Sequence, residues 1–229
     1  MACVAQLVAL GEEAAPGAQG GVEEGEVIFF TSDTHFGHEN IIRYCQRPFA
    51  DVGEMDRELI AAWNDEVGEE DTVYHLADFT LGDEHQARDY FRQLNGRIFM
   101  LGLAWHHDCR WLPIWRQVGT SGAHVRPGQI EFYSASHHKV NLLGPVHVLE
   151  LHELGNGRFP LAITLSHYQM AVWDRSHYGA WHLFGHSHGT SSPPGHCLDV
   201  GVDVWDYRPV SLDRVIWAMR ERGWAKGDD

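Results

Sequence analysis

Five short apolar runs in this chain empty directly into aspartate or histidine, and that arrangement limits the folds open to it. Residues 27–32, 72–76, 97–103, 161–165 and 181–184 are rich in β-branched and aromatic side chains, as buried strands are. The polar residues that follow are Asp33-Thr34-His35, Asp78, His106-His107-Asp108, Ser166-His167 and Gly185-His186-Ser187-His188. An α/β sheet collects its functional groups at the carboxyl ends of its strands, so these five segments predict one shared site. In Asp-x-His and His-x-His, residues two apart on extended backbone point the same way, which would send both side chains into one cavity.

The spaces between the runs supply the helices. Leu59, Ile60, Trp63 and Val67 recur at helical spacing after Met55 and stop at Gly68, read as a left-handed cap. Ala87, Tyr90, Phe91 and Leu94 mark a second helix ending near Gly96, and residues 212–222 form a closing amphipathic helix after a Ser211 cap. Between them, residues 130–142, 146–154 and 161–165 read as strands joined in antiparallel hairpins by Gly144-Pro145 and Gly155-Asn156-Gly157 turns, and 198–204 reads as a further strand. The fold class is α/β, with a poorly ordered tail over residues 1–26 and one domain over 27–229.

Charge and cysteine usage narrow the function. With 17 Lys plus Arg against 32 Asp plus Glu, the formal net charge is -15, so no long nucleic acid is expected as a partner. The apolar opening, residues 2–10, lacks a basic flank and is too short to span a bilayer, so no membrane is expected. Cys3, Cys45, Cys109 and Cys197 form no Cys-x-x-Cys pair, which points to a reducing cytoplasm rather than a disulfide framework. Histidine is in surplus at 17. Carboxylate and imidazole donors together suit divalent Mn, Fe or Zn, and one carboxylate can bridge two ions.

The order of the segments resembles the calcineurin-like metallophosphoesterase family, whose pattern runs Asp-x-His, Gly-Asp, Gly-Asn-His-Asp, a solitary His, then Gly-His-x-His. The likeness spans residues 27–209, and the stretches 34–40 (Thr-His-Phe-Gly-His-Glu-Asn) and 200–209 (Val-Gly-Val-Asp-Val-Trp-Asp-Tyr-Arg-Pro) are similar to a small bacterial and phage branch of that family. The resemblance implies two packed mixed β-sheets flanked by helices, a four-layer αββα sandwich. It implies two divalent metal ions, manganese foremost, with Fe, Zn, Mg or Ni as alternatives. Asp33, His35 and His188 would hold the first, His106, His167 and His186 the second, and Asp78 would bridge them. His107 would be the catalytic histidine outside the ligand set, oriented by Asp108, and His38 would border the cavity as a substrate contact or a support for a ligand.

What this implies chemically is a binuclear phosphoesterase that attacks a small phosphodiester, such as a 2′,3′-cyclic nucleotide, with a hydroxide shared by the ions. Phosphomonoester hydrolysis and a non-catalytic metal-binding scaffold are the alternatives. Two departures from the family pattern stand out. Ala77 replaces the Gly before the bridging Asp, tolerable if its φ is negative, and Trp105-His106 replaces Gly-Asn, exchanging an amide oxygen for an imidazole nitrogen. His75, His137, His138, His147 and His152 are assigned structural or surface roles, and the nine tryptophans to packing.

Overall fold

The computed structural model describes residues 25–102, 107–112 and 131–226. Its elements run β1 (Ile28–Thr31), α1 (Glu39–Tyr44), α2 (Val52–Glu66), β2 (Thr72–His75), α3 (Glu84–Phe91), β3 (Arg97–Leu101), β4 (Asn141–Leu143), β5 (Val146–Leu151), β6 (Leu161–Ser166), β7 (Trp181–Phe184), β8 (Cys197–Asp199), β9 (Val210–Ser211) and α4 (Leu212–Glu221). Two mixed sheets result. In the first, ordered β4-β3-β2-β1-β9, only β9 runs antiparallel. In the second, ordered β5-β6-β7-β8, the β5–β6 hairpin is antiparallel and the remaining pairs are parallel.

The period-2 pattern of the strands decides the layering. Ile28, Phe30, Tyr74, Leu76 and Leu101 face Leu149, Leu151, Ile163, Leu165, Trp181 and Leu183 in a core between the sheets. The alternate residues Phe29, Val73, Ile98 and Met100 turn the other way, onto Met55, Leu59 and Trp63 of α2 and Ala87 and Phe91 of α3. Helix α2 starts where Asp51 accepts from the Glu54 N–H at 2.8 Å, and α3 where Asp83 and Gln86 form a reciprocal capping box. Val215 and Met219 of α4 join the intersheet core and close its open side. On the outer face of the second sheet, His182 is covered by the segment 168–180, with the Met170 N–H bonded to its Nε2 at 3.0 Å and the Trp173 ring 5.4 Å away. A helical fourth layer there is not seen among the described residues.

Several expectations are corrected. Gly68 is not a left-handed cap: α2 stops because Val67 turns extended, and the Gly68 N–H then donates to Asp71 Oδ2 at 2.7 Å. Residues 131–142 do not form one strand. A Tyr133–Lys139 bridge encloses a turn with His137 at φ 64°, and β4 then pairs parallel with β3 rather than in a hairpin. The 198–204 strand ends at Asp199, and Val202–Val204 is a 3-10 turn. Glu26 is no tail residue, since its carboxylate binds the Thr72 hydroxyl and pairs with Arg97 at 3.2 Å; residues 1–24 lie outside the described residues. Helix α1, absent from the sequence reading, carries Cys45 and Arg47 just past its end.

Candidate metal centre

Beyond their last paired residues, the strands of both sheets are joined to one another. The Asp33, His35 and Phe36 N–H groups donate to the carbonyls of Ala77, Asp78 and Phe79 at 3.1, 2.9 and 2.8 Å, so the first two loops run side by side. Ser32 pairs with Gly201, and the Gly185 N–H donates to the His167 carbonyl at 3.0 Å, which brings the second sheet's loops to the same place. Gly185 is required by this closeness: a Cβ there would lie 2.2 Å from Ser32 Oγ and 2.5 Å from Asp33 Oδ2.

Four overlapping triads form there among the described residues, each with ligand-capable atoms within 4.8 Å of one another: Asp33-His35-His188, His35-Asp78-His107, Asp78-His167-His186 and, joined through His188, Cys45-His188-Asp203. Asp78 stands in the middle, its Oδ2 3.3 Å from His35 Nε2 and 3.6 Å from His167 Nε2. His38 borders the group, with its Nδ1 3.4 Å from His35 Nδ1 and its ring centroid 5.8 Å from that of His107. His107 is exposed and gives its backbone N–H to the Asp78 carboxylate. His106, with Trp105, lies outside the described residues.

The backbone here is strained. Of the eleven non-glycine residues with positive φ among the described residues, six are Asp33, His35, Ala77, Asp78, His186 and His188, and a left-handed L-residue costs about 1 kcal/mol. The strain is therefore concentrated in the loops that bring these carboxylates and imidazoles together. It also corrects two expectations. Ala77 has φ 80°, not the negative angle on which its tolerance was conditioned. The His-x-His and Asp-x-His segments are not extended, so His186 turns to Asp78 and His167 while His188 turns to Asp33 and His35.

Burial dominates the electrostatics. It pushes Asp33 up to about 8, with the Asp78 charge adding to the rise and the His188 charge and His186 N–H opposing it. Asp78 is pushed up to about 7 by burial, against the opposing charge of His188. His35 is held well below the ordinary imidazole value by burial and by the Arg47 charge. Asp33 Oδ2 accepts the His186 N–H at 2.9 Å, but the buried Oδ1 has no hydrogen-bond partner. A carboxylate oxygen left so is costly unless a cation meets it. His167 Nδ1 lies 2.8 Å from the Leu76 carbonyl, which can only accept, so the ring keeps its proton there and leaves Nε2 as a lone-pair donor. The orphaned Asp33 oxygen, the His35 imidazole held neutral, the His167 Nε2 turned inward and the buried carboxylates together fit a pair of divalent cations.

Asp108 differs from its expected part. Its buried carboxylate accepts from the Phe79 and Thr80 N–H groups at 3.0 Å and from Trp111 Nε1 at 3.0 Å, so it clamps the loop after Asp78 instead of orienting the His107 ring. Burial raises it to about 7. His75 is buried and structural, donating to Thr34 Oγ1 at 3.1 Å, and burial lowers it to about 3.

Four supports escaped the sequence reading. Arg47 is buried against Asp203 and the Asp33 and Thr34 carbonyls. Asp203, inside the quoted 200–209 stretch, takes His188 Nδ1 at 2.7 Å; burial opposes its ionisation, but His188 and Arg47 hold it below the usual carboxylate range. Asp199 accepts from Ser187 Oγ and the Gly189 N–H, fixing the loop of the two histidines. Asp56 takes the Gly37 N–H at 3.0 Å and Tyr90 Oη at 2.7 Å, fixing the turn after His35. Asp199 and Asp203 fall inside the run read as the strand 198–204, where acidic residues in an apolar stretch were the available signal; nothing periodic marks Arg47 or Asp56.

No protein-family model matches the chain. The uncharacterized protein MJ1445 of Methanocaldococcus jannaschii is 29% identical over 198 residues, covering 82% of this chain and 89% of its own length. The crystal structure of AQ665, a protein of unknown function from Aquifex aeolicus, superposes with a TM-score of 0.55 at 20% identity, over 85% of this chain and all of that one. At that identity the likeness speaks for the fold alone, a mixed α/β architecture with two mixed sheets flanked by helices.

Proposed function

We propose that this protein is a binuclear metal-dependent phosphoesterase of the calcineurin-like type, acting on a small phosphodiester such as a 2′,3′-cyclic nucleotide. The observation that carries the reading is the position of Asp78, whose Oδ2 lies between His35 and His167 and therefore joins the Asp33-His35-His188 group to the Asp78-His167-His186 group. A carboxylate so placed would be shared by two cations, with Asp33, His35 and His188 on one side and His167 and His186 on the other. Manganese, iron or zinc fits this mixed oxygen and nitrogen set better than magnesium, which favours oxygen donors. Bound there, paired cations would supply Lewis acidity toward the phosphoryl oxygens and a water of lowered pKa.

The chain's own residues supply the rest. Asp78 and Asp33 bring buried negative charge, and the clamps from Asp108, Asp56 and Asp199 hold the loops in strained conformations, so little reorganisation remains for the reaction. His107, exposed and 5.2 Å from His35 ring to ring, would hand a proton to the departing oxygen. Among the described residues no helix is long and apolar enough to cross a membrane, and Cys45, Cys109 and Cys197 are free thiols, in keeping with a cytoplasmic enzyme.

The test is metal analysis of purified protein coupled to hydrolysis of bis-p-nitrophenyl phosphate and p-nitrophenyl phosphate with Mn, Fe, Zn, Mg and Ni. Two metal equivalents and faster diester cleavage are expected. Faster monoester cleavage would make it a phosphatase, two metals without turnover a scaffold, and no metal uptake would overturn the reading.

A further inference from the structure

We infer that Arg47 and Asp203 are positioning residues that make the Asp33-His35-His188 position the tighter of the two metal positions, by fixing His188 through a charged rather than a neutral partner. The inference rests on the metal-centre reading above and goes beyond it, since that reading treats the two positions alike.

Arg47 lies next to a phosphate-handling centre and would be taken at first for a substrate clamp. Its hydrogen bonds exclude that. Nε and Nη2 hold the two oxygens of Asp203 at 2.8 Å each, Nη2 also reaches the Asp33 carbonyl at 2.7 Å, and Nη1 the Thr34 carbonyl at 3.0 Å. The side chain is completely buried, so every arm of the guanidinium is spent inside the protein. One residue therefore ties the Asp33 loop, including the carbonyl of a left-handed ligand residue, to the loop of Asp203.

Asp203 passes this hold to the metal side. Its Oδ2 lies 2.7 Å from His188 Nδ1, and an ionised carboxylate only accepts, so the proton sits on Nδ1 and Nε2 carries the lone pair. His167 is oriented the same way, but by the neutral carbonyl of Leu76. A carboxylate behind an imidazole makes it a more basic donor than a carbonyl does, and loss of such a partner typically costs about 10- to 100-fold in metal affinity. At His188 and His167 the two positions are thus held differently, one by a carboxylate and one by a carbonyl.

The experiment is titration of metal-stripped protein with Co2+, read both as affinity and as the visible d–d absorption of the bound ion. Wild type should load in two resolved steps, the tighter one carrying the spectrum of the His188 position. Asp203→Asn should weaken that step by about 10- to 100-fold and shift its absorption while leaving the second step in place, and Asp203→Glu, which restores the carboxylate, should recover part of the loss. Should the buried Arg47 charge unfold Asp203→Asn, the double change Arg47→Gln with Asp203→Asn removes both charges and should show the same selective loss. A merely structural pair would lower the unfolding midpoint of the stripped protein without moving the affinity or spectrum of the folded fraction, and that result overturns the inference. If wild type binds no Co2+ at all, it is the metal-centre reading that falls, and this inference with it.

Discussion

Asp78 Oδ2 stands 3.3 Å from His35 Nε2, across the junction between two loops that are themselves hydrogen-bonded in parallel. Because the same oxygen also faces His167, removing this carboxylate is expected to act on both metal positions at once. Asp78→Ala should lower bound metal at both and reduce diester hydrolysis by on the order of 10³-fold, with the fold kept by the Asp108 clamp on the neighbouring N–H groups. Metal content by elemental analysis, set beside circular dichroism, checks this; near-normal activity with two metals would end the shared-carboxylate assignment.

His107 is set apart from the other site histidines by its exposure, and the proposed role as proton donor predicts a split between binding and turnover. His107→Ala should reduce kcat by about 10²- to 10⁴-fold with metal content nearly intact, and the loss should shrink as the leaving group becomes more acidic. A variant that sheds its metal would instead make His107 a ligand, which its place in the His35-Asp78-His107 triad allows.

Ala77 offers a test of backbone strain. With φ 80° and complete burial, it holds a conformation natural to glycine one residue before the shared carboxylate. Relief of about 1–2 kcal/mol of strain, less the ~0.5–1 kcal/mol by which glycine loosens the unfolded chain, predicts that Ala77→Gly is stabilising by up to about 1.5 kcal/mol. Denaturant unfolding measures it, and a loss of stability would mean that the methyl packs better than it strains.

These three residues also show what could be read before any coordinates. Asp78 and His107 were found because strands announce themselves by apolar runs, and the residue types after them carry the chemistry. The direction of each side chain was not legible. The alternation alone puts His186 and His188 on one extended face, and only the family resemblance separates them; left-handed φ values send them to different triads, and no periodicity encodes such angles in non-glycine residues. Arg47 was hidden for another reason. No apolar period or motif singles out Arg47 in the sequence, and it is the approach of Asp203, 156 residues on, that offsets the cost of its burial. Likewise the resemblance gives Asp108 to His107, while the chain folds so that the N–H groups of Phe79 and Thr80 claim it.

The pH dependence of the metal-free protein follows from the buried carboxylates. Asp33 is raised to about 8 and Asp78 and Asp108 to about 7, in each case by burial first, from an ordinary value of 3.8. Between pH 4 and these values the unfolded chain has lost protons that the folded chain retains, so stability falls as pH rises through that window. His188, also raised, acts in the same direction, since its protonated form is favoured in the fold. His35 and His75 act oppositely, because they are held neutral in the fold and take up protons on unfolding. That opposition is confined to pH below the ordinary imidazole value of about 6.5. Above it the carboxylates and His188 govern alone. In EDTA, the unfolding midpoint should therefore decline from pH 6.5 to pH 8. Saturating Mn2+ binds the deprotonated forms of Asp33, Asp78 and His188, so it should stabilise most at the upper end and flatten or reverse the decline. Thermal unfolding across this range, with and without metal, is the measurement. A midpoint that stays level in EDTA would mean that Asp33 and Asp78 already carry their charges in the metal-free fold, and that the cluster does not need a cation to hold them.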